Sequence, residues 1–557
     1  MMTGHAGTRG NDPAGWQGAR RKRQRIRMQQ IETVSSCEGD ATQSLDADLS
    51  KDTVLQSPTA ENVTTMVSDL FLKGEVLDAV RLALEVVARH PDNVILTLVA
   101  ATLLARHTAL YDVVATLARR ALKLEPDSVG AQTILADALV AGGDVAGGCA
   151  LFADMMARYP GERIGLCEHI SFSLVDAGYP FEALGILTAW LQEGEPSFSL
   201  LNNMACILDR MGRPAEAVSW YKRALAMDPG NATAAFGYSL SLLKAGNFRE
   251  GWARYAERVP LTNSVTWWFM SLPRLRHGDD VSGKKIILYQ EQGLGDTLHF
   301  IRFVPYLQAK GADVTIVVPK ALLRLLTQSF PGASVRLIEE FGREVEDGYS
   351  YAAPIPDLPF IGGVMSESDI PANIPYFRAD AGDIAKFAAE LPSRRPRIGL
   401  VWAGERRGRP ELAAADRRRS TTLAMLGEAL TPVDATLVNI QFGVPHAEIA
   451  AWHGQPVFDP MGGVRDMADT AAIMESLDLF ISVDTSPLHL AGGLGRPTWL
   501  ISRWDACWRW GAEGDTSAWY PTMRVFRAQE RTFGPVLREV GEALREWVKD
   551  WQPGKGA

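Results

Sequence analysis

Between Phe198 and Asn231 the apolar residues Leu201, Met204, Ala205 and Leu208 fall on one helical stripe, and Ala217, Tyr221, Ala224 and Leu225 fall on a second. Gly212 separates them, so the spacing predicts a pair of helices. Small residues at Ala205, Ala217 and Ala224 let the two approach closely, and Pro229 ends the second because it cannot continue the hydrogen-bond ladder. The unit recurs. Prolines at Pro91, Pro126, Pro160, Pro196 and Pro229 are separated by 35, 34, 36 and 33 residues, a rhythm that marks an array of stacked helical units. Gly74 and Ala79 with Pro91, Gly143 with Phe152 and Pro160, Gly178 with Ala183, and Gly246 with Gly251 and Tyr255 follow the same grammar.

After Trp267-Trp268-Phe269 the period changes. Lys285 to Tyr289 is a compact apolar run, Leu298 to Lys310 reads as a helix, and Ala312 to Val318 is β-branched. A helix over Ala321 to Phe330 and a strand over Ser334 to Ile338 follow. Alternation of this kind predicts a parallel sheet covered on both faces, because parallel strands need crossover helices. A proline-rich stretch containing Pro354, Pro371 and Pro375 intervenes, and the strand Arg397 to Trp402 opens a second lobe. Its further strands are Thr436 to Ile440, Leu479 to Val483 and Thr498 to Ile501, with helices at Leu423 to Leu430, Asp466 to Leu477 and Leu488 to Leu494. Two such lobes joined by a linker imply a cleft at the carboxyl ends of both sheets.

The helical units resemble tetratricopeptide repeats over about Ala60 to Pro260, in five or six copies. That resemblance implies a superhelix whose concave face docks a protein or peptide. An array that only rigidifies or dimerises the chain is the other reading, and the repeats by themselves imply no chemistry.

Composition narrows the class. A chain of 557 residues implies three or four domains at roughly 150 residues each. Lys and Arg number 57 against 66 Asp and Glu, for a formal charge of −9, so the overall basic footprint of a nucleic-acid binder is missing. Cys37, Cys149, Cys167, Cys206 and Cys507 are widely spaced without a C-x-x-C pair, which argues against a disulfide framework or a cysteine zinc site and for a cytoplasmic location. The run Val94 to Ala105 is too short to cross a bilayer, and no apolar signal core opens the chain. Residues 1–59 are poor in large apolar side chains and are expected to be disordered. Their basic run Arg20 to Arg27 reads as solvated charge or a phosphate or membrane contact, and Met28 is an alternative start.

The candidate chemistry lies at two strand-to-helix junctions. In the first lobe Gln290-Glu291-Gln292-Gly293-Leu294-Gly295-Asp296-Thr297-Leu298-His299 provides Gly293 and Gly295 for a tight turn. Leu298 stands where the dinucleotide pattern G-x-G-x-x-G needs its third glycine, which disfavours a nicotinamide enzyme. Asp296 reads either as a helix N-cap or as a base for an acceptor hydroxyl, with His299 as a rival base. In the second lobe Asp484-Thr485-Ser486-Pro487-Leu488-His489 starts a helix, with Ser486 as cap and Pro487 at its first position. The exposed N–H groups there suit a diphosphate, while an ordinary capped helix with a packed His489 is the plainer alternative. Gly404 ends the strand Arg397 to Trp402, and Arg418 and Arg419 in the following loop are either phosphate clamps or solvated charges.

Together these residues resemble the glycosyltransferase family 9 that includes the bacterial lipopolysaccharide heptosyltransferases, in the branch bearing tetratricopeptide repeats. The carriers are Glu291 to Asp296, Asp466 to Ala472, Asp484-Thr485 with His489-Leu490-Ala491, Trp508-Arg509-Trp510 and Trp519-Tyr520-Pro521. The resemblance runs from about Lys284 to Phe526. It implies an all-α repeat solenoid followed by a GT-B pair of Rossmann-like α/β lobes. The expected divisions are a repeat array at 60–260, a linker at 261–282, an acceptor lobe at 283–380, an interlobe linker at 381–395 and a nucleotide-sugar donor lobe with a C-terminal helix at 396–552.

The resemblance further implies an inverting, metal-independent transfer with no cofactor beyond the nucleotide-sugar co-substrate. Asp296 maps onto the general base, with His299 beside it. The donor diphosphate loop maps onto Asp484, Thr485 and His489, and Gly293, Gly295, Gly404, Arg418, Arg419, Gln441 and Ser486 are the further candidates for donor and phosphate binding. Arginines stand where heptosyltransferases usually carry a lysine, which leaves the sugar open. The expected partners are a nucleotide-sugar donor, a glycan, lipid-linked or protein acceptor, and a protein on the repeat groove. The only early Asp-x-Asp, Asp46-Ala47-Asp48, lies in the tail and supports no metal-dependent site. Two other arrangements stay open: a repeat scaffold with a degenerate transferase domain, and one resembling the animal O-GlcNAc transferase, in which repeats feed a polypeptide to the cleft.

Overall fold

The repeats open on side chains that cap their first helices. Thr59, Asn93, Ser128, Ser197 and Asn231 each accept a hydrogen bond from the backbone N–H three residues on, satisfying a donor that the helix leaves open. Within the pairs, Gly143, Gly178, Gly212 and Gly246 turn the chain at φ of 101°, 91°, 72° and 78°, a region that side chains with a Cβ avoid. The computed structural model describes residues 51–73, 75–194, 196–258, 269–341, 348–405 and 416–553. Among them stand six helix pairs, from Ala60–Leu72 with Val76–Arg89 to Ala232–Lys244 with Phe248–Ala256. Asp46 to Asp48, the basic run at Arg20 to Arg27, Gly74 and Trp267-Trp268 lie outside the described residues.

The repeats fall into two compact units. One compact unit ends at Met155 and a second begins at Met156, inside the helix Val145–Arg158. The first is a helical stack around Leu82, Val86, Leu96, Leu103, Leu104 and Val114. It begins earlier than expected, because Lys51–Gln56 is helical and buries Val54 and Leu55. The second unit holds the later repeats and the α/β lobes around a shared core that runs from Phe248, Trp252 and Tyr255 through Ile286 and Phe300 to Leu488 and Tyr520.

Both lobes are parallel α/β layers. The first sheet has the order β3-β2-β1-β4, with β1 Lys285–Tyr289, β2 Asp313–Val318, β3 Ser334–Leu337 and β4 Tyr351–Pro354. In β1 four consecutive residues are buried, as expected of a strand covered on both faces. The second sheet has the order β10-β9-β8-β5-β6-β7, with β5 Arg397–Val401, β6 Thr436–Asn439, β7 Val457–Phe458, β8 Leu479–Val483, β9 Thr498–Ser502 and β10 Met523–Arg527.

Three local readings change. The expected helix Leu298 to Lys310 breaks into Leu294–Phe300, a 3₁₀ turn at Ile301–Phe303 and Val304–Ala309, with Pro305 at the start of the last piece. In the supposed linker before the lobes, Phe269 stacks on Tyr289 at 4.6 Å and Leu275 N–H donates to Ala352 O at 3.0 Å, so residues 269–282 belong to the first lobe. The supposed interlobe linker contains the helix Ala381–Glu390, capped by Asp380 and anchored by buried Phe387.

Candidate functional site

Both sheets reverse direction of growth beside their first strand. The first sheet adds β2 and β3 on one side of β1 and returns with β4 on the other; the second adds β6 and β7 beside β5 and returns with β8. At such a switch point the connections leave in opposite directions and a crevice opens beyond the carboxyl ends of the strands. The first switch point carries Gln290 to Asp296 and Asp357; the second carries Trp402 to Gly404 and Asp484 to Ser486.

The two junctions meet. A Cβ at Gly295 would stand 3.0 Å from His489 Cδ2 and 3.5 Å from Ser486 Cα, so a glycine is what lets the helices Leu294–Phe300 and Ser486–Gly493 close on each other. Asp296 occupies the third helical position, and one carboxylate oxygen accepts the Gly293 N–H at 3.0 Å. It is therefore not the N-cap but the reciprocal half of one. The other oxygen accepts from Arg509 Nη2. Gly293 is exposed, and Asp296, Asp484 and Ser486 are partly exposed, so this rim faces solvent.

Behind the rim the histidines are buried. His299 Nδ1 lies 3.2 Å from His489 Nδ1 and 3.3 Å from Tyr520 Oη, and Tyr520 Oη lies 2.9 Å from His489 Nδ1. The hydroxyl can donate to one ring and accept from the other. His489 stacks on Trp510, whose Nε1 donates to Asp484 at 3.0 Å. His299, read from the sequence as a rival base, is fully buried. Beneath it the buried Arg302 donates to His299 O at 3.0 Å and Trp519 O at 2.7 Å.

Burial dominates the titration of both rings. It holds His299 well below the ordinary histidine range, helped by the charges of His489, Arg302 and Arg509. It takes His489 down to about 3, with Asp484 opposing and Arg509 and Arg302 adding to the effect. Below the unfolded value of about 6.5 the unfolded chain binds protons that the folded rings refuse. Stability is accordingly expected to be complete above pH 6.5 and to fall as the pH drops toward 3. Thermal unfolding between pH 7.5 and 4.5 checks this: the double variant His299→Gln/His489→Gln should lose less over that span than the parent, and equal losses would refute it.

The remaining expected donor residues are placed as follows. Gln441 Oε1 accepts from the N–H groups of Trp402 and Ala403 at 3.1 and 2.9 Å, and its Nε2 donates to Ala403 O, so it shapes the end of β5. Thr485 is buried against Ser482 Oγ at 3.1 Å and Val483 O. Gly404 N–H donates to Ser420 Oγ at 3.1 Å, and its missing side chain admits Arg419. The two loop arginines, Arg418 and Arg419, are engaged within the protein. Arg418 donates to Asp176 O at 2.7 Å and pairs with Asp176 and Asp505, while Arg419 donates to Glu405 O at 3.0 Å and pairs with Asp416 at 3.2 Å. Carboxylates brought up by the fold, one from a repeat helix, hold these charges.

Several residues of the site were not singled out from the sequence. Arg509 and Tyr520 were visible only as parts of Trp508-Arg509-Trp510 and Trp519-Tyr520-Pro521. Trp252, from the last repeat helix, meets Phe300 of the first lobe at 6.0 Å and Trp508 and Trp519 of the second at 5.3 and 6.4 Å, all edge to face. Arg258, just past that helix, donates to Asp357 at 2.7 Å and to Glu291, and Arg274 shares Asp357 at 2.6 Å. Tyr255 and Gln292 hydrogen-bond at 2.8 Å. Across the lobes Arg324 joins Asp466 at 2.8 Å and Asp469 at 2.5 Å.

The fold and site define a repeat protein whose later units brace two facing parallel α/β lobes. The family model of the tetratricopeptide repeat matches residues 198–231. Protein FlbA of Caulobacter vibrioides is 28% identical over 337 residues, which are 56% of this chain and 55% of that protein, so the chain spans about half the length of the curated relative it matches. Among solved structures, ADP-heptose lipopolysaccharide heptosyltransferase II of E. coli is 15% identical, with 47% of this chain and 99% of that chain covered and a TM-score of 0.33. An O-GlcNAc transferase variant from Thermobaculum terrenum is 13% identical, with 88% and 92% covered and a TM-score of 0.26.

Proposed function

We propose that the two lobes form an inverting glycosyltransferase that needs no metal and moves a sugar from a nucleotide-sugar donor to a glycan, lipid-linked or protein acceptor. The repeats dock the acceptor or a partner. One observation supports the reading: the two strand-to-helix junctions abut at Gly295 and Ser486, and the carboxylate of Asp296, next to Gly295, accepts from Arg509 of the other lobe. The N-terminal tip of Ser486–Gly493 offers N–H donors and a positive dipole end to a diphosphate, while a carboxylate can take a hydroxyl proton. Gly293, Gly295, Asp484, Thr485 and Ser486 form the donor side, Gly404 and Gln441 shape the end of the adjacent strand, and His489 supports the tip from behind. No helix among the described residues is long and apolar enough to cross a membrane, and on this reading the chain works in the cytoplasm.

A thermal-shift panel of UDP-, GDP-, ADP- and dTDP-sugars tests the donor site. A cognate donor at a hundred times its Kd should stabilise the protein by about 2.7 kcal/mol. With that donor, Asp296→Asn should abolish sugar transfer while the nucleotide still binds, and His489→Ala should weaken nucleotide binding. Full activity in Asp296→Asn would remove that carboxylate from the reaction.

A second reading, a scaffold that binds a nucleotide or glycan without turnover, draws on the ion pair between Asp296 and Arg509, since a carboxylate oxygen occupied by a guanidinium is not free to take a hydroxyl proton. Donor binding without transfer or hydrolysis would favour it.

A further inference from the structure

Arg509 occupies an unusual position for a cation. Its guanidinium lies over the rings of Trp508 and Phe300, 4.5 and 5.2 Å from their centroids, and its side chain is nine-tenths buried. Nη2 donates to Asp296, Nη1 donates to Cys507 Sγ at 3.3 Å, and Nε is buried with no hydrogen-bond partner among the described residues. A guanidinium carries five N–H donors in a fixed fork that matches paired phosphate oxygens, and a buried open donor is costly unless something takes it up. The next residue, Trp510, stacks on His489 and donates to Asp484, which ties this segment to the rim that carries Asp484. Asp484, the acid on that same rim, is engaged by Trp510.

We propose that Arg509 exchanges partners during the reaction: a nucleoside diphosphate seated on the tip of Ser486–Gly493 draws the guanidinium from Asp296 and so frees that carboxylate to act on the acceptor. This rests on the nucleotide-sugar reading above and adds to it a coupling, because the base is then competent only when a diphosphate is present. It also reconciles the ion pair with catalysis. Asp296 and the diphosphate compete for one cation, so removing the carboxylate charge should strengthen diphosphate binding.

The test uses the full chain and isothermal titration with UDP, GDP, ADP and dTDP, each compared with its free nucleoside. For the diphosphate that binds the parent, Asp296→Asn should bind roughly three- to tenfold more tightly, since the competing state no longer reduces the competent fraction. Arg509→Gln should bind it about 10- to 100-fold more weakly, the range for losing hydrogen bonds to a charged group, with the nucleoside unaffected. Unchanged or weaker binding by Asp296→Asn, or unchanged binding by Arg509→Gln, overturns the exchange while leaving the donor site standing. If none of the four diphosphates binds the parent, the donor reading falls and the exchange with it. Because Arg509→Gln removes a buried cation and can fail to fold, Asp296→Asn, which keeps Arg509 in place, decides the matter alone in that event.

Discussion

Replacing Trp252 with alanine will cost the second compact unit about 3–5 kcal/mol, the range for emptying a buried tryptophan site. The indole is fully buried and packs edge to face on Phe300, Trp508 and Trp519, so one side chain of the last repeat joins both lobes. Such ring pairs contribute beyond their buried area. Trp252→Phe should recover part of the loss, because it keeps an aromatic edge in the same place. Denaturant unfolding followed by tryptophan fluorescence measures both. A midpoint for Trp252→Ala within error of the parent would show that the repeats do not brace the lobes. The same substitution should weaken donor binding, since Trp508 is chain neighbour to Arg509.

The second large effect belongs to Arg258. Its guanidinium is buried between Asp357 and Glu291, and Arg274 reaches Asp357 from the other side. Arg258→Met removes one cation from two buried carboxylates, and breaking a buried pair in this way costs about 3–5 kcal/mol. Neutralising a partner should restore much of it, so the double variant Arg258→Met/Glu291→Gln is expected to be more stable than Arg258→Met. Urea unfolding of the four members of that cycle gives the coupling energy directly. No coupling between the two sites would mean that the pair is incidental. Glu291 adjoins the loop Gln292-Gly293 that leads to Asp296, so donor binding should follow stability through the series.

Much of this architecture is legible in local sequence. The repeating glycines at Gly143, Gly178, Gly212 and Gly246 mark the turns, and the prolines announce capped helix starts one or two residues later at Asn93, Ser128, Ser197 and Asn231. β1 and β8 were readable to the residue because both are buried on two faces and so are compact, mostly apolar runs, interrupted only by Lys285 at the start of β1 and Ser482 in β8. β4 was hidden by Pro354 at its end, a residue that reads as a break but is tolerated at a strand terminus on the sheet edge. β7 has only two residues and no periodicity to detect. The helix Ala381–Glu390 was read as linker because the prolines before it outweighed its pattern.

At the site the junctions were legible and the partners were not. Gly293, Gly295, Asp296 and Asp484 to His489 stand at strand ends, where turn chemistry is written in adjacent residues. Arg418, read from the sequence as a phosphate clamp or a solvated charge, meets Asp176, which lies 242 positions away. Asp296 meets Arg509 across 213 positions, and His299 meets His489 across 190.

The sequence by itself determined the kinds of element and their order, a repeat array and then two parallel α/β lobes, because helical and strand periods are set by neighbours within a few residues. Tertiary structure alone decided that the last repeat helix shares its core with the lobes, that His299 is interior, and which cation holds each carboxylate. Those outcomes depend on burial and on Coulomb contacts between distant segments, and both exist only once the backbone has brought those segments together.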